Sequence, residues 1–149
     1  MRAVVQRVKE ANVKVDGETI GEIKKGLVIL LGIKDNESVE DKKYMVDKIS
    51  NLRIFEDDDE KMNLSVKDIE GEVLLVPNFT IYGDCRKGRR PSFAGAARPE
   101  IAEGIYEELR DLIRNEGINV ETGKFRADME VNIVNDGPVT VILDSEKNV

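Results

Sequence analysis

The sequence lacks several residue types on which common active sites depend. Its 149 residues include no histidine and no tryptophan, one cysteine and four prolines. Without histidine, Ser-His-Asp catalysis, Cys-His catalysis, histidine general bases and histidine-ligated metals are all excluded. The lone cysteine, Cys85, excludes a disulfide within the chain and a cysteine metal cluster. Any chemistry must therefore come from carboxylates, lysines, hydroxyls, backbone amides or groups of a substrate.

Long apolar runs are also missing. No segment approaches the roughly 20 apolar residues that a membrane-spanning helix requires. The opening segment, MRAVVQRVKEANVKV, carries charge throughout and has no apolar core of a signal peptide. We therefore expect a cytoplasmic protein with no membrane partner. A hydrophobic content of 40% and a charged content of 36% suit one globular domain over residues 1–149.

The net charge of −7 indicates that the protein as a whole repels nucleic acid. One segment, CRKGRRPSF over residues 85–93, departs from this balance. It concentrates four cations that are candidates for contact with RNA phosphates: Arg86, Lys87, Arg89 and Arg90. A solvated loop is the other interpretation of such a run. We expect no binding to DNA.

Apolar patterning predicts seven strands and two helices. The strands are predicted over residues 2–8, 12–16, 18–23, 27–33, 72–82, 129–134 and 139–143. One helix is predicted to follow Ser38, a good N-cap with Asp41 three residues later, and the other to run from Pro99 to Gly117. These elements predict an α+β fold, a mainly antiparallel sheet or barrel with two helices packed on it.

The segment Pro77-Asn78-Phe79-Thr80 lies late in the apolar strand predicted over residues 72–82, next to the basic loop. A threonine hydroxyl there is a candidate nucleophile or water-positioning group. A plain strand threonine is the more common interpretation. Pro77 donates no backbone hydrogen bond, which indicates that the strand is interrupted or lies at an edge.

The segment Asn135-Asp136-Gly137-Pro138 separates the last two predicted strands. A simple hairpin turn is its plainest interpretation. Two features allow a more specific one. A Gly-Pro bond adopts the cis form more readily than other bonds, and Gly137, which has no Cβ, lets its carbonyl approach a ligand closely.

Taken together, the chain resembles the D-aminoacyl-tRNA deacylases. The resemblance runs through MRAVVQRV, VPNFTIYGDCRKGRRPSFAGAA and TGKFRADMEVNIVNDGPVTVILD. The segments RKGRRPSF and NDGPVT are specific, because unrelated proteins seldom carry both in this order. One motif departs from the family, whose usual Ser-Gln-Phe-Thr is replaced here by Pro77-Asn78-Phe79-Thr80. Phe79 and Thr80 therefore match, whereas Pro77 and Asn78 do not.

The resemblance implies a hydrolase that cleaves the ester of D-aminoacyl-tRNA, and of mischarged glycyl-tRNA, at the acceptor end. It implies a homodimer in which Gly137 and Pro138, joined by a cis bond, enter the partner's pocket and exclude L-aminoacyl groups. It further implies catalysis assisted by the ribose 2′-hydroxyl, with Asn78, Phe79 and Thr80 at the catalytic position and backbone amides stabilising the oxyanion. An older account makes Thr80 a covalent nucleophile, but no adjacent base is evident in the motif. Neither account requires a metal or an organic cofactor.

Three other interpretations remain open from the sequence. The first is a non-catalytic RNA-binding module that uses the RKGRR loop alone. The second is an interaction protein whose NDGPVT turn only mediates dimerisation. The third is a related deacylase in which the departure at Pro77 and Asn78 has changed the substrate.

Overall fold

A computed structural model describes residues 1–149. The helices are α1 (Val39–Asn51) and α2 (Pro99–Asn115), with one short 3-10 helix (Phe79–Tyr82). The strands are β1 (Arg2–Val15), β2 (Glu18–Ile23), β3 (Gly26–Gly32), β4 (Phe55–Glu56), β5 (Met62–Leu64), β6 (Glu72–Pro77), β7 (Asn119–Thr122) and β8 (Glu130–Asp144). Neither α-helix has the length and apolar character needed to cross a membrane.

Six strands form the main sheet, in the order β2-β1-β3-β6-β7, with β8 paired to β1. Strand β1 runs antiparallel to β2, β3 and β8, whereas β3–β6 and β6–β7 are parallel pairs. The sheet forms a nearly closed barrel on which the two helices pack. The predicted α+β fold, mainly antiparallel with two packed helices, is confirmed.

Two apolar cores cover the two faces of the central strands. The larger lies between the sheet and the helices, and its sheet side includes Val5, Ile29 and Leu75. The smaller fills the barrel on the opposite face and includes Val28 and Leu74. Neighbouring residues of β3 and β6 thus point into different cores, which explains why both strands are continuous apolar runs. Both strands are accordingly buried along most of their length.

The strand predicted over residues 72–82 is shorter in the structure and ends at Pro77. Pro77 is the last residue of β6 to pair with β3, and the Asn78 amide then donates to the Leu31 carbonyl at 2.8 Å. The chain next turns into the 3-10 helix, because proline cannot extend the ladder of hydrogen bonds. The physical reason lies in Pro77 itself, and Thr80 belongs to a helical turn at the surface instead of a strand.

The predicted pairs of strands at each end of the chain are single long strands. Strand β1 pairs with β8 along most of its length. The register shifts on both sides of Val8, and the larger shift is the one between Gln6, opposite Thr140, and Val8, opposite Asn135. Residues 136–139 therefore bulge out of β8 opposite the single residue Arg7. The predicted turn exists as this bulge within a strand.

Candidate functional site

A cavity of about 740 Å³ opens beside the ends of β3 and β6. Fourteen of its 20 lining residues are hydrophobic, and its apolar wall includes Leu30, Val76 and Ile133 from three strands. The polar residues that line it include Arg98 and Arg126. Cavities of roughly 300–1,000 Å³ with this composition are typical of small-molecule and cofactor sites. The volume suffices for a nucleoside with an attached amino acid.

The start of the 3-10 helix forms part of this cavity. Asn78 is the N-cap, and both Asn78 and Phe79 line the cavity, whereas Thr80 lies next to them outside its lining. The first N–H groups of a helix have no acceptor inside the helix. The amides of Phe79 and Thr80 therefore have no acceptor within the 3-10 helix.

The Thr80 hydroxyl has a definite partner. Its Oγ1 donates to Asn78 Oδ1. An amide oxygen accepts a hydrogen bond but does not take up a proton at neutral pH, so Asn78 cannot serve as the base that a threonine nucleophile requires. The contact instead fixes the orientation of the Asn78 side chain.

The basic loop is a hairpin, which we define as residues 84–92. Asp84 and Ser92 close it through two backbone hydrogen bonds of 2.7 and 3.0 Å, and Gly88 occupies its turn with a φ of +66°. Arg86 returns to Asp84, with its Nε and Nη2 donating to the carboxylate at 2.9 and 2.8 Å. These hydrogen bonds lower the pKa of Asp84 to about 2. Arg86 is thus committed to the base of the hairpin.

The other three cations of the hairpin are Lys87, Arg89 and Arg90. All three are exposed, and none forms an ion pair within the chain. They lie outside the cavity lining. The hairpin therefore presents three uncompensated positive charges near, but not in, the cavity.

A buried arginine supports the bulge of residues 136–139. The Arg7 side chain is only 7% exposed, and its Nε forms an ion pair with Asp136 Oδ2 at 3.1 Å. The same Nε donates to the Asp136 carbonyl at 3.3 Å. Its Nη1 donates to the Ile54 carbonyl at 2.8 Å. A charge this deeply buried requires partners of this kind. Arg7 therefore fixes Asp136 to the body of the protein.

A second set of contacts closes the bulge. Asn135 Nδ2 donates to the Arg7 carbonyl at 2.9 Å and to the Val139 carbonyl at 3.1 Å. The Gly137-Pro138 peptide is cis, and both residues are exposed. Gly137 has no positive φ, so its backbone conformation does not by itself require glycine. An added Cβ would instead meet Asn135 Oδ1 at 3.1 Å.

The structure brings together some of the predicted residues and separates others. Asn78 and Phe79 meet at the cavity, whereas Gly137 and Pro138 do not line the cavity of their own chain. Sequence reasoning missed Arg7 and the rim residue Arg126. Arg7 had one signal, since it continues the inward phase of Ala3 and Val5 on β1, where an arginine must find buried partners.

Comparison with known proteins identifies the family. The model of the D-Tyr-tRNA(Tyr) deacylase family matches residues 4–144. The chain belongs to this family, so the resemblance predicted from the sequence is confirmed, and so is the prediction of an enzyme.

The chain is similar over nearly its full length to relatives named D-aminoacyl-tRNA deacylase. The relative from Thermotoga petrophila is 58% identical over 147 residues, which cover 99% of each chain. The relative from Clostridioides difficile is 57% identical over 148 residues, again with 99% of each chain covered.

Two solved structures share the fold. The one described as "c-Myc DNA Unwinding Element Binding Protein" has a TM-score of 0.91 and 42% identity, and the match covers 97% of this chain and 98% of that chain. The one described as "a probable eukaryotic D-amino acid tRNA deacylase" has a TM-score of 0.80 at 15% identity, covering 95% and 97%. At that identity, the second likeness concerns the fold alone.

Proposed function

We propose that this chain hydrolyses the ester between a D-amino acid and the terminal ribose of tRNA, and that glycyl-tRNA is also a substrate. The observation that carries the proposal is the match to D-aminoacyl-tRNA deacylases at 58% identity over 99% of the chain. The cavity supports it independently. Its apolar wall suits a nucleobase and an amino-acid side chain, and the amides of Phe79 and Thr80 are at its edge.

In this proposal, water attacks the ester carbonyl carbon. The negative charge that develops on the carbonyl oxygen is stabilised by the amides of Phe79 and Thr80. The terminal ribose 2′-hydroxyl assists the removal of a proton from water, and the 3′-oxygen leaves as the ribose hydroxyl. The hydrogen bond of Thr80 to an amide oxygen supports this account over a threonine nucleophile. Asn78 orients this part of the cavity.

Chiral exclusion is proposed to come from a second copy of the chain. Gly137 and Pro138 are exposed, firmly supported and absent from the cavity of their own chain. They can therefore fill substrate space only in another subunit. The apolar side chains of Val134 and Ile142, both exposed on the same strand, favour association of two copies along this face. The proposed active form is a homodimer.

The RNA contact is proposed to fall on Lys87, Arg89 and Arg90. Arg86, predicted from the sequence as a fourth contact, is engaged with Asp84 and holds the hairpin base. Three cations give a small electrostatic footprint, which suits weak and rapidly reversible binding by a protein of net charge −7. A cytoplasmic location follows from the proposed substrate.

The test compares D-tyrosyl-tRNA, L-tyrosyl-tRNA and glycyl-tRNA with the same purified enzyme. We expect hydrolysis of the D-ester and the glycyl ester and survival of the L-ester. Equal cleavage of D- and L-tyrosyl-tRNA would remove steric exclusion from the proposal. Binding of tRNA without hydrolysis of any ester would favour the non-catalytic RNA-binding module. Cleavage of glycyl-tRNA alone would indicate that Pro77 and Asn78 have changed the substrate.

The catalytic account has a separate test. Thr80→Ala should retain substantial hydrolysis of D-tyrosyl-tRNA, because its hydroxyl performs no bond-making step. A tRNA that ends in 2′-deoxyadenosine, with its ester intact at the 3′ position, should be a poor substrate. An acyl group trapped on Thr80 would overturn this account.

A further inference from the structure

Two aromatic rings lie exposed at the edge of the cavity. Phe79 is 59% exposed and Phe93 is 40% exposed, although both line the cavity. Their ring centroids are 5.3 Å apart with an interplanar angle of 76°, an edge-to-face contact. Such a contact fixes each ring against the other. The exposed ring area is thus held in a defined orientation, without a partner inside the chain.

The position of Phe93 also depends on a glycine. A Cβ on Gly83 would lie 3.0 Å from Phe93 Cε1, closer than ordinary contact allows. Gly83 therefore makes room for the ring. In the sequence, Phe93 directly follows Ser92, the residue that closes the basic hairpin. The aromatic pair, Phe79 and Phe93, joins the cavity on one side to the hairpin on the other.

We propose that the ring of Phe93, held edge-to-face by Phe79, stacks on the base of the penultimate nucleotide at the tRNA acceptor end. The inference rests on the proposed function and extends its RNA footprint. If the terminal nucleotide carries its ester to the amides of Phe79 and Thr80, the next phosphodiester must leave the cavity. The cations of the hairpin that form no ion pair favour an exit of this phosphodiester on the hairpin side of the cavity, past the exposed rings. Exposed aromatic rings beside a positively charged surface commonly bind unpaired bases by stacking.

Charge complementarity favours RNA over a second copy of the chain at this surface. Lys87, Arg89 and Arg90 lie within six residues of Phe93 and have no acidic partner. Two identical hairpins brought together here would repel each other, whereas an RNA strand supplies both phosphate and base. The occupant is therefore inferred to be a nucleotide.

The experiment is a double-mutant cycle between protein and RNA. One minihelix carries the ordinary penultimate cytidine and the other an abasic ribose at that position, and both carry the same D-tyrosyl ester. Hydrolysis of each is measured as kcat/KM with wild type, Phe93→Leu and Phe93→Trp. Loss of the base and loss of the ring should each lower wild-type efficiency about fivefold or more. Loss of both the base and the ring should lower kcat/KM little more than loss of either alone. Phe93→Trp should keep the wild-type dependence on the base.

A matched control is Met62→Leu, which changes another exposed apolar side chain, 58% exposed and outside the cavity lining. It should show the wild-type dependence on the penultimate base. The dependence of RNA binding on salt should be the same for Phe93→Leu as for wild type, because no charge is removed.

Two outcomes would overturn the inference: equal losses by Phe93→Leu on both minihelices, or dissociation of a dimer by Phe93→Leu in gel filtration. The same cycle can be measured from the binding of minihelices that carry no amino acid, with and without the penultimate base. This version does not depend on hydrolysis. A wild-type enzyme that binds in this pattern but cleaves no D-ester would contradict the proposed function and leave the stacking inference intact.

Discussion

The bulge at residues 136–139 and the basic hairpin at residues 84–92 differ in how they are supported. The bulge is fixed from below by a buried arginine and closed by the Asn135 amide. The hairpin is closed by two backbone hydrogen bonds and one exposed ion pair. Their proposed roles explain the difference. Excluding an L side chain requires a rigid backbone, whereas attracting phosphate requires only positive charges on flexible side chains.

Removing the carboxylate charge of Asp136, which anchors the bulge to Arg7, should have the largest effect. In Asp136→Asn, the buried Arg7 guanidinium loses its counter-charge but keeps its carbonyl acceptors. We expect a loss of about 3 kcal/mol in the free energy of unfolding, since breaking a buried ion pair leaves an uncompensated charge. Urea denaturation measures it. The exposed control Asp58→Asn should change stability by less than about 0.5 kcal/mol. Equal effects of the two would show that the bulge is not supported in this way.

Adding one methyl group at Gly137 should lower activity without preventing folding. Gly137→Ala places a Cβ 3.1 Å from Asn135 Oδ1, so the side chain that closes the bulge must shift to make room. We expect a folded dimer whose hydrolysis of D-tyrosyl-tRNA falls by about tenfold or more, because misplacement near an ångström is costly. Single-turnover deacylation and analytical ultracentrifugation are the measurements. Full activity would place Gly137 outside the substrate's surroundings.

The hairpin should respond to charge without a change in stability. Replacing Arg89 and Arg90 together by Gln should reduce the slope of log K against log salt by about 1.4, from roughly 0.7 per phosphate contact on a single strand. Urea midpoints should stay at the wild-type value, since neither side chain forms an ion pair. Salt titrations of tRNA binding test this. An unchanged slope would remove the hairpin from the RNA footprint.

The smallest expected effect comes from freeing Arg86. The pKa of Asp84 is lowered to about 2 by Arg86, so the pairing is complete above the ordinary value of 3.8 and is lost as pH falls through about 2. Between pH 5 and 8, Asp84 therefore stays ionised. Asp84→Asn should release Arg86 for RNA and raise the salt slope by about 0.7. The increase should be the same at pH 5.5 and 7.5. A lower slope would show that the hairpin needs its acidic base to keep its shape.

Much of the fold was predictable because apolar pattern and capping act locally. Ser38 and Asp41 form the capping box that their spacing predicted, and Pro99 begins α2. The four-residue strand β7 carries too short a pattern to identify, and it forms by pairing with β6. Phe79 and Gly137 are candidates for the site through motif resemblance alone. Arg126 was missed because only the tertiary fold brings the loop before β8 to the cavity rim.

The pairing of β1 with β8 has a consequence for how the chain folds. Arg2 lies opposite Asp144 and Val13 opposite Val131, so strands from the two ends of the sequence complete the sheet together. Such distant contacts must overcome the entropy of closing a very long loop before they contribute stability, and topologies rich in them fold slowly. A nascent chain would expose its barrel core until the last strand becomes available, and the bulge that carries Gly137 would be among the last features to take shape.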